Sequence, residues 1–172
     1  MNDGSITLPG EGLLLTISQL ALGLAGFSGI VGVFREKSSG GMERQDFMGL
    51  RLIIELTLAA VFLAQVPSIL LLALESIRPA IRYSSLLLAI FLVTFYVREA
   101  FIMKGEALKK TPPRHPKTFK LFGIPMLLLV ATLIFNAFWW LNIAPYVGAV
   151  LFLLIAAGRQ FFSLVYERAG AG

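Results

Sequence analysis

The sequence, 172 residues long, contains no cysteine and a single histidine. Without thiols it has no disulfide framework, no thiolate metal site and no cysteine nucleophile. His115 stands between Arg114 and Pro116, and its nearest acidic residue is Glu106. That surrounding reads as a solvated loop histidine, so no metal site is expected. Charge is scarce as well: Asp, Glu, Lys and Arg make up 15% of the chain against 57% hydrophobic residues. There is no Ser-His-Asp inventory, Walker loop, H-E-x-x-H or dinucleotide fingerprint. The glycines of LGLAGFSGIVG belong to an apolar run with no strand before them. The expectation is a protein that is not an enzyme and holds no cofactor. The opening MNDGSITLPGEG carries Asp3 and Glu11 but no Lys or Arg, so it lacks the basic start of a secretory signal peptide. The first apolar helix is therefore expected to stay in the mature chain.

What the sequence does have is long apolar runs, with a mean hydropathy of +0.80. A membrane span needs roughly 20 mostly apolar residues, because the hydrocarbon layer is about 30 Å thick. Five segments meet that length: residues 13–34, 50–74, 83–103, 121–141 and 145–166. The fold class expected is all-α, an integral membrane bundle of five transmembrane helices in a single membrane domain, 1–172. Polar loops are expected at 35–49, where Ser38, Ser39, Gly40 and Gly41 signal a turn, and at 104–120, where Pro112, Pro113 and Pro116 stand among basic residues. A short connection spans 75–82. Pro67 predicts a kink in the second helix, and Pro125 is placed in the first turn of the fourth, where a missing N–H is harmless. Trp139 and Trp140 close that helix as interfacial aromatics, and Asn142 is the expected N-cap of the last one. A four-span alternative treats 121–166 as one bent span plus an interfacial piece.

Charge placement arbitrates. With five spans, thirteen of the fifteen Lys and Arg residues fall on one side and only Arg78 and Arg82 on the other. Setting aside Arg98 and Arg159, which lie within helices, the bias is still eleven to two. The positive-inside rule then puts the N-terminus outside and the C-terminus in the cytoplasm. The net charge of +5 is thus read as attraction to anionic lipid headgroups, not to nucleic acid.

The first helix, LLLTISQLALGLAGFSGIVGVF, is the expected hub. Counting 100° per residue, Ser18, Ala21, Ala25, Ser28, Gly29 and Gly32 share one stripe about 100° wide. Small side chains let backbones approach closely, and inside lipid close packing drives helices together. Gly23 and Gly26 lie off this stripe and offer a second neighbour a close approach. The simplest use of the stripe is packing alone.

Charged groups in spans cost roughly 2.5 to 3.5 kcal/mol at the helix centre. Glu55, Arg98, Glu99 and Arg159 lie at similar depths, with Gln160 and Ser28 near the same level. They form a candidate intramembrane polar cluster, either a hydrated ion pathway or a structural ion-pair network in which Arg51 also reaches Glu55. Gln19, Gln65 and Asn136 are further polar candidates, and such amides usually bond a neighbouring helix.

The runs AGFSGIVGVFRE, DFMGLRLIIELTLAAVFLAQVPSIL and LFLLIAAGRQFFSLV together resemble a group of small uncharacterised bacterial multi-pass inner-membrane proteins. In that group an A-G-F-x-G-I-V run closes the first helix and an aromatic-containing Q-F run closes the last. The resemblance implies a cell inner membrane location and carries no activity and no site. The function expected is helix–helix association, as a homo-oligomer or as the membrane subunit of a complex with another membrane protein. Two alternatives are an ion channel or small-solute transporter using the inner-leaflet charges, and an anchor recruiting a cytoplasmic partner through Lys109, Lys110 and Arg114.

Overall fold

A computed structural model describes residues 7–39, 44–108 and 116–166, with side chains over 7–34, 47–102 and 123–166. Those residues form helices and contain no strand. The elements are α1 (Glu11–Ser39), α2 (Arg44–Leu74), α3 (Ile77–Leu108), α4 (Pro116–Phe135), a π-helical turn (Asn136–Trp140) and α5 (Ile143–Tyr166). Five stretches are long and apolar enough to cross a membrane: Glu11–Phe34, Phe47–Leu74, Ile77–Ile102, Gly123–Trp140 and Ile143–Tyr166. The all-α, five-span fold class is thus the observed one.

The helices overrun the expected boundaries. The polar stretch at 35–49 is mostly helix, since α1 continues through Ser39 and α2 begins at Arg44. The turn signal at Gly40 and Gly41 lies outside the described residues. Likewise α3 extends to Leu108 and α4 starts at Pro116, which narrows the basic loop expected at 104–120. A helix that has already formed in the membrane continues into water at little cost when its next residues are ordinary helix formers. Pro125 consequently lies inside α4, not in its first turn. The connection expected at 75–82 shrinks to Glu75 and Ser76. Pro79 is the third residue of α3, where no intrahelical acceptor exists for an N–H, so proline loses nothing there. Glu75 makes this tight break by adopting a left-handed φ of 51° while its N–H bonds the Leu71 carbonyl 2.9 Å away. At the start of α1, Gly10 takes a φ of 82°, a conformation glycine alone adopts freely, and its carbonyl accepts from the N–H groups of Leu13 and Leu14.

The chain divides into two compact units, Met1–Ile69 with Val147–Gly172 and Leu70–Tyr146. In the first, α1 and α2 run antiparallel. Leu50 sits over Gly32, the Gln65 amide faces the Ser18 hydroxyl at 3.5 Å, and the Ser68 hydroxyl faces the Glu11 carboxylate at 3.5 Å. Ala21, Ile53, Ala60 and Ala64 are buried, the small residues allowing close approach. Near the start of α2, a methyl added to Gly49 would touch Leu164 of α5. Pro67 is buried within an unbroken α2.

In the second unit α3 and α4 are antiparallel, with Tyr96 against Gly123 at one end and Ser85 bonded to Asn136 at the other. Ser84, Ser85, Leu88, Ala89 and Leu92 bury one face of α3. At the end of α4 the helix widens into a π turn, the Leu141 N–H bonding the Asn136 carbonyl at 2.8 Å. Leu141 then turns left-handed, with φ 48°, at a cost of about 1 to 2 kcal/mol for a residue with a Cβ. The Asn136 side chain compensates. Its Nδ2 donates to Ser85 Oγ (3.0 Å) and to the Asn142 carbonyl (2.8 Å), while its Oδ1 accepts from the Asn142 N–H (2.9 Å). Because the Asn142 N–H is taken, it leaves the Ala137 carbonyl to accept from Arg82 Nε at 3.0 Å. The Asn142 side chain accepts from the Ala144 N–H at 2.9 Å and is the N-cap of α5, as the sequence predicts.

Replacing Asn136 with Leu strands the backbone N–H and carbonyl of Asn142. The expected loss is about 1 to 3 kcal/mol of stability, given roughly 0.5 to 1.5 kcal/mol for each hydrogen bond lost at these partly buried groups. A lowered thermal midpoint of the detergent-solubilised protein is the readout, and an unchanged midpoint would show that Asn136 does not hold the turn.

Candidate functional site

Helix α1 has two faces rich in small residues, and within its own compact unit the described residues pack against one of them. Of the predicted stripe, Ser18, Ala21, Ser28 and Gly32 are buried, and Ala25 and Gly29 are half-buried. The closest approach is at Gly32, where a Cβ would lie 2.6 Å from Leu50 Cδ2, whereas a Cβ on Gly29 would meet nothing within 4 Å. Ser28 returns its hydroxyl to the Leu24 carbonyl at 2.7 Å. This stripe is the seam between α1 and α2.

The opposite face carries Gly12, Thr16, Gln19, Gly23 and Gly26, all exposed. They fall within about 40° of the direction opposite Ala21, counting 100° per residue. Gly12, Gly23 and Gly26 have open space where a Cβ would stand. The Thr16 hydroxyl is satisfied by the Gly12 carbonyl at 2.8 Å. Gln19 differs from these neighbours, because its amide bonds nothing among the described residues. It is the ninth residue of a 24-residue span, which at 1.5 Å per residue places it about 5 Å from the midpoint. An amide held in hydrocarbon without a partner costs roughly 2 to 7 kcal/mol. Its counterpart on the inner side, Gln65, faces Ser18. The contrast marks the outward face as the candidate site: a helix surface that permits close backbone approach and carries one unsatisfied polar group near mid-membrane.

Of the predicted charges, Glu55, Arg98 and Glu99 pair with near neighbours in sequence. Arg51 Nε lies 2.9 Å from Glu55 Oε1, the i, i+4 pair that the spacing predicts. Arg98 Nη2 lies 2.9 Å from Oε1 of the adjacent Glu99, and the Arg98 guanidinium stacks over the Phe95 ring at 5.1 Å. Glu55, Arg159 and Gln160 belong to the first compact unit, Arg98 and Glu99 to the second. Arg159 is exposed and Gln160 half-buried on α5. Among the described residues no group of three or more His, Asp or Glu side chains is arranged to hold a metal ion. His115, Lys109, Lys110 and Arg114 lie outside the described residues.

The second site the sequence touched on is the turn after α4. Asn136 was legible as a polar residue in a span, but its partners Ser85 and Asn142 were not, because the first comes from α3 and the second from a turn of unusual geometry. Aromatic residues gather there. Phe135 and Trp139 stack at 5.4 Å, and the Arg82 guanidinium lies over Phe138 at 5.5 Å. Trp139 and Trp140 are exposed.

Two glycines of the seam stripe respond oppositely to added volume. Gly32→Leu drives into Leu50 and is expected to cost about 1 to 3 kcal/mol, whereas Gly29→Ala fills open space and is expected to gain up to about 1 kcal/mol in helix propensity. Thermal midpoints of the two variants, measured side by side in detergent, check the seam; a Gly32→Leu protein as stable as the parent would contradict it. No family model matches the chain, and neither curated proteins nor solved structures give a match.

Proposed function

We propose that this multi-pass membrane protein works by lateral association, with the outward face of α1 docking against another membrane helix in a homo-oligomer or as the membrane subunit of a complex. The observation that carries the reading is the exposed, unpartnered Gln19 among Gly12, Thr16, Gly23 and Gly26. A lone helix in lipid gains nothing from such a surface, since small residues forfeit contact with the acyl chains and the amide goes unsatisfied. A docked helix removes both costs. Several other polar side chains support the same reading, because Arg51 with Glu55, Arg98 with Glu99 and Asn136 with Asn142 are engaged within the chain.

In this reading the N-terminus is outside and the basic side meets the anionic lipids of the cytoplasmic leaflet, supported by the eleven-to-two charge bias. Placement in a bacterial inner membrane rests on the sequence resemblance alone. The protein performs no chemistry of its own, in keeping with the lack of a catalytic constellation in the sequence.

Gly26→Leu puts a bulky side chain on the docking face while filling space that is empty in the isolated chain. Native gels of mildly solubilised membranes are expected to show the assembly falling to the monomer mass, with insertion and thermal stability of the chain unchanged. An assembly of undiminished size would refute association through this face.

A further inference from the structure

We propose that the place where α3 begins and α4 ends binds the phosphodiester of an anionic phospholipid, with the Arg82 guanidinium as its anchor and Arg78, Phe138, Trp139 and Trp140 around it. All of these residues belong to the second compact unit, and the site does not depend on the association reading.

The guanidinium is held before any lipid arrives. Its Nε donates to the Ala137 carbonyl at 3.0 Å, and its central carbon lies 5.5 Å from the centre of the Phe138 ring. Two contacts from the π turn thereby fix where this exposed group stands. Its Nη1 and Nη2 bond nothing among the described residues. Arginine presents such groups as a planar fork that matches two oxygens of one phosphate.

Depth selects the source of that phosphate. Arg82 is the sixth residue of the span Ile77–Ile102, which at 1.5 Å per residue sets it about 7.5 Å inside the end. Phosphate dissolved in water must leave its hydration to reach that level, whereas a phospholipid holds its phosphate beside the apolar layer. One turn nearer the middle of the membrane from Phe138, the exposed side chains of Ile134 and Phe135 continue the surface that an acyl chain covers. Toward the end of the span stand Trp139 and Trp140, and tryptophan favours the headgroup level. Charge then selects an anionic headgroup. Exposed Arg78 lies one turn from Arg82, and over residues 70–98 and 123–146 Glu75 is the one acidic residue, so the balance is positive. Among the described residues Glu75 forms no ion pair with either arginine. A choline headgroup brings its own cation to such a site, and a glycerol headgroup does not.

Both tryptophans of the chain stand here, Trp139 with its ring 5.9 Å from that of Phe138, so their emission reads this site alone. The full chain is reconstituted in phosphatidylcholine bilayers containing, at equal mole fraction, phosphatidylglycerol or phosphatidylcholine brominated in its acyl chains, because bromine quenches indole at short range. Brominated phosphatidylglycerol is expected to bind about fivefold better, the ratio that corresponds to about 1 kcal/mol for a basic residue at an anionic surface. Arg82→Gln is expected to bring the ratio close to one, and Lys109→Gln, just past the opposite end of α3, to leave it unchanged. Arg78→Gln, which removes no bond among the described residues, is expected to lower the ratio too, so the test holds even if Arg82→Gln fails to fold.

Equal quenching by the two lipids overturns the proposal, as does a preference that survives both arginine substitutions. Quenching by neither lipid shows the tryptophans covered by protein and overturns it as well. Emission that responds to added inorganic phosphate and not to the lipids makes this a site for a soluble anion, and the phospholipid is then wrong.

Discussion

The constraint on which this structure depends is that hydrocarbon offers no hydrogen-bond partner, so each polar group must find one in protein. The helices answer it for the backbone. Side chains answer it locally: Thr57, Ser84 and Thr132 return their hydroxyls to carbonyls one turn back, at 2.7 to 2.8 Å. Among the described residues no buried side-chain nitrogen or oxygen is left without a bond. The most demanding place is the end of α4, where a π turn and a left-handed Leu141 break the regular ladder. There Asn136 supplies in one side chain what the backbone gives up, and Arg82 takes the remaining carbonyl. Gln19 on α1 and Gln160 on α5 depart from this economy, and of the two Gln19 stands on a face of small residues.

Packing follows from a second property of lipid. No apolar transfer free energy draws one helix to another, so fit decides. The α1–α2 seam meets this need with alanines, serines and Gly32, and its polar pairs, Gln65 with Ser18 and Ser68 with Glu11, hold the antiparallel register. Between α3 and α4 the register is held by a tyrosine over Gly123 and an asparagine on Ser85. Both seams combine close backbone approach with a few directional bonds. The opposite face of α1 has both ingredients too, and among the described residues of its own unit no helix packs on it.

Much of this was readable from residue order. Span number and helical character follow from the length of apolar runs, the N-cap at Asn142 from a short polar side chain before Ile143, and the Arg51–Glu55 pair from i, i+4 spacing. The stripe on α1 was recognisable as a packing surface because small residues recur at helical period. Less readable were the ends. Turn signals at 38–39 and prolines at 79 and 125 suggested loops or first turns, yet helix continues through them, since a formed helix tolerates such residues wherever the affected N–H has no partner to lose or the surroundings absorb the loss.

Composition and periodicity by themselves determined that the chain is helical, membrane-spanning and charge-asymmetric, since those properties depend on how many apolar residues follow one another and where the charges interrupt them. Only the tertiary structure decided which small-residue face of α1 packs on α2, and that Asn136 closes a turn while Gln19 bonds nothing among the described residues. The reason is geometric. Both faces of α1 satisfy the same period, and a side-chain amide is the same group in either position, so the difference lies in what another helix, distant in sequence, brings to within about 3 Å of it.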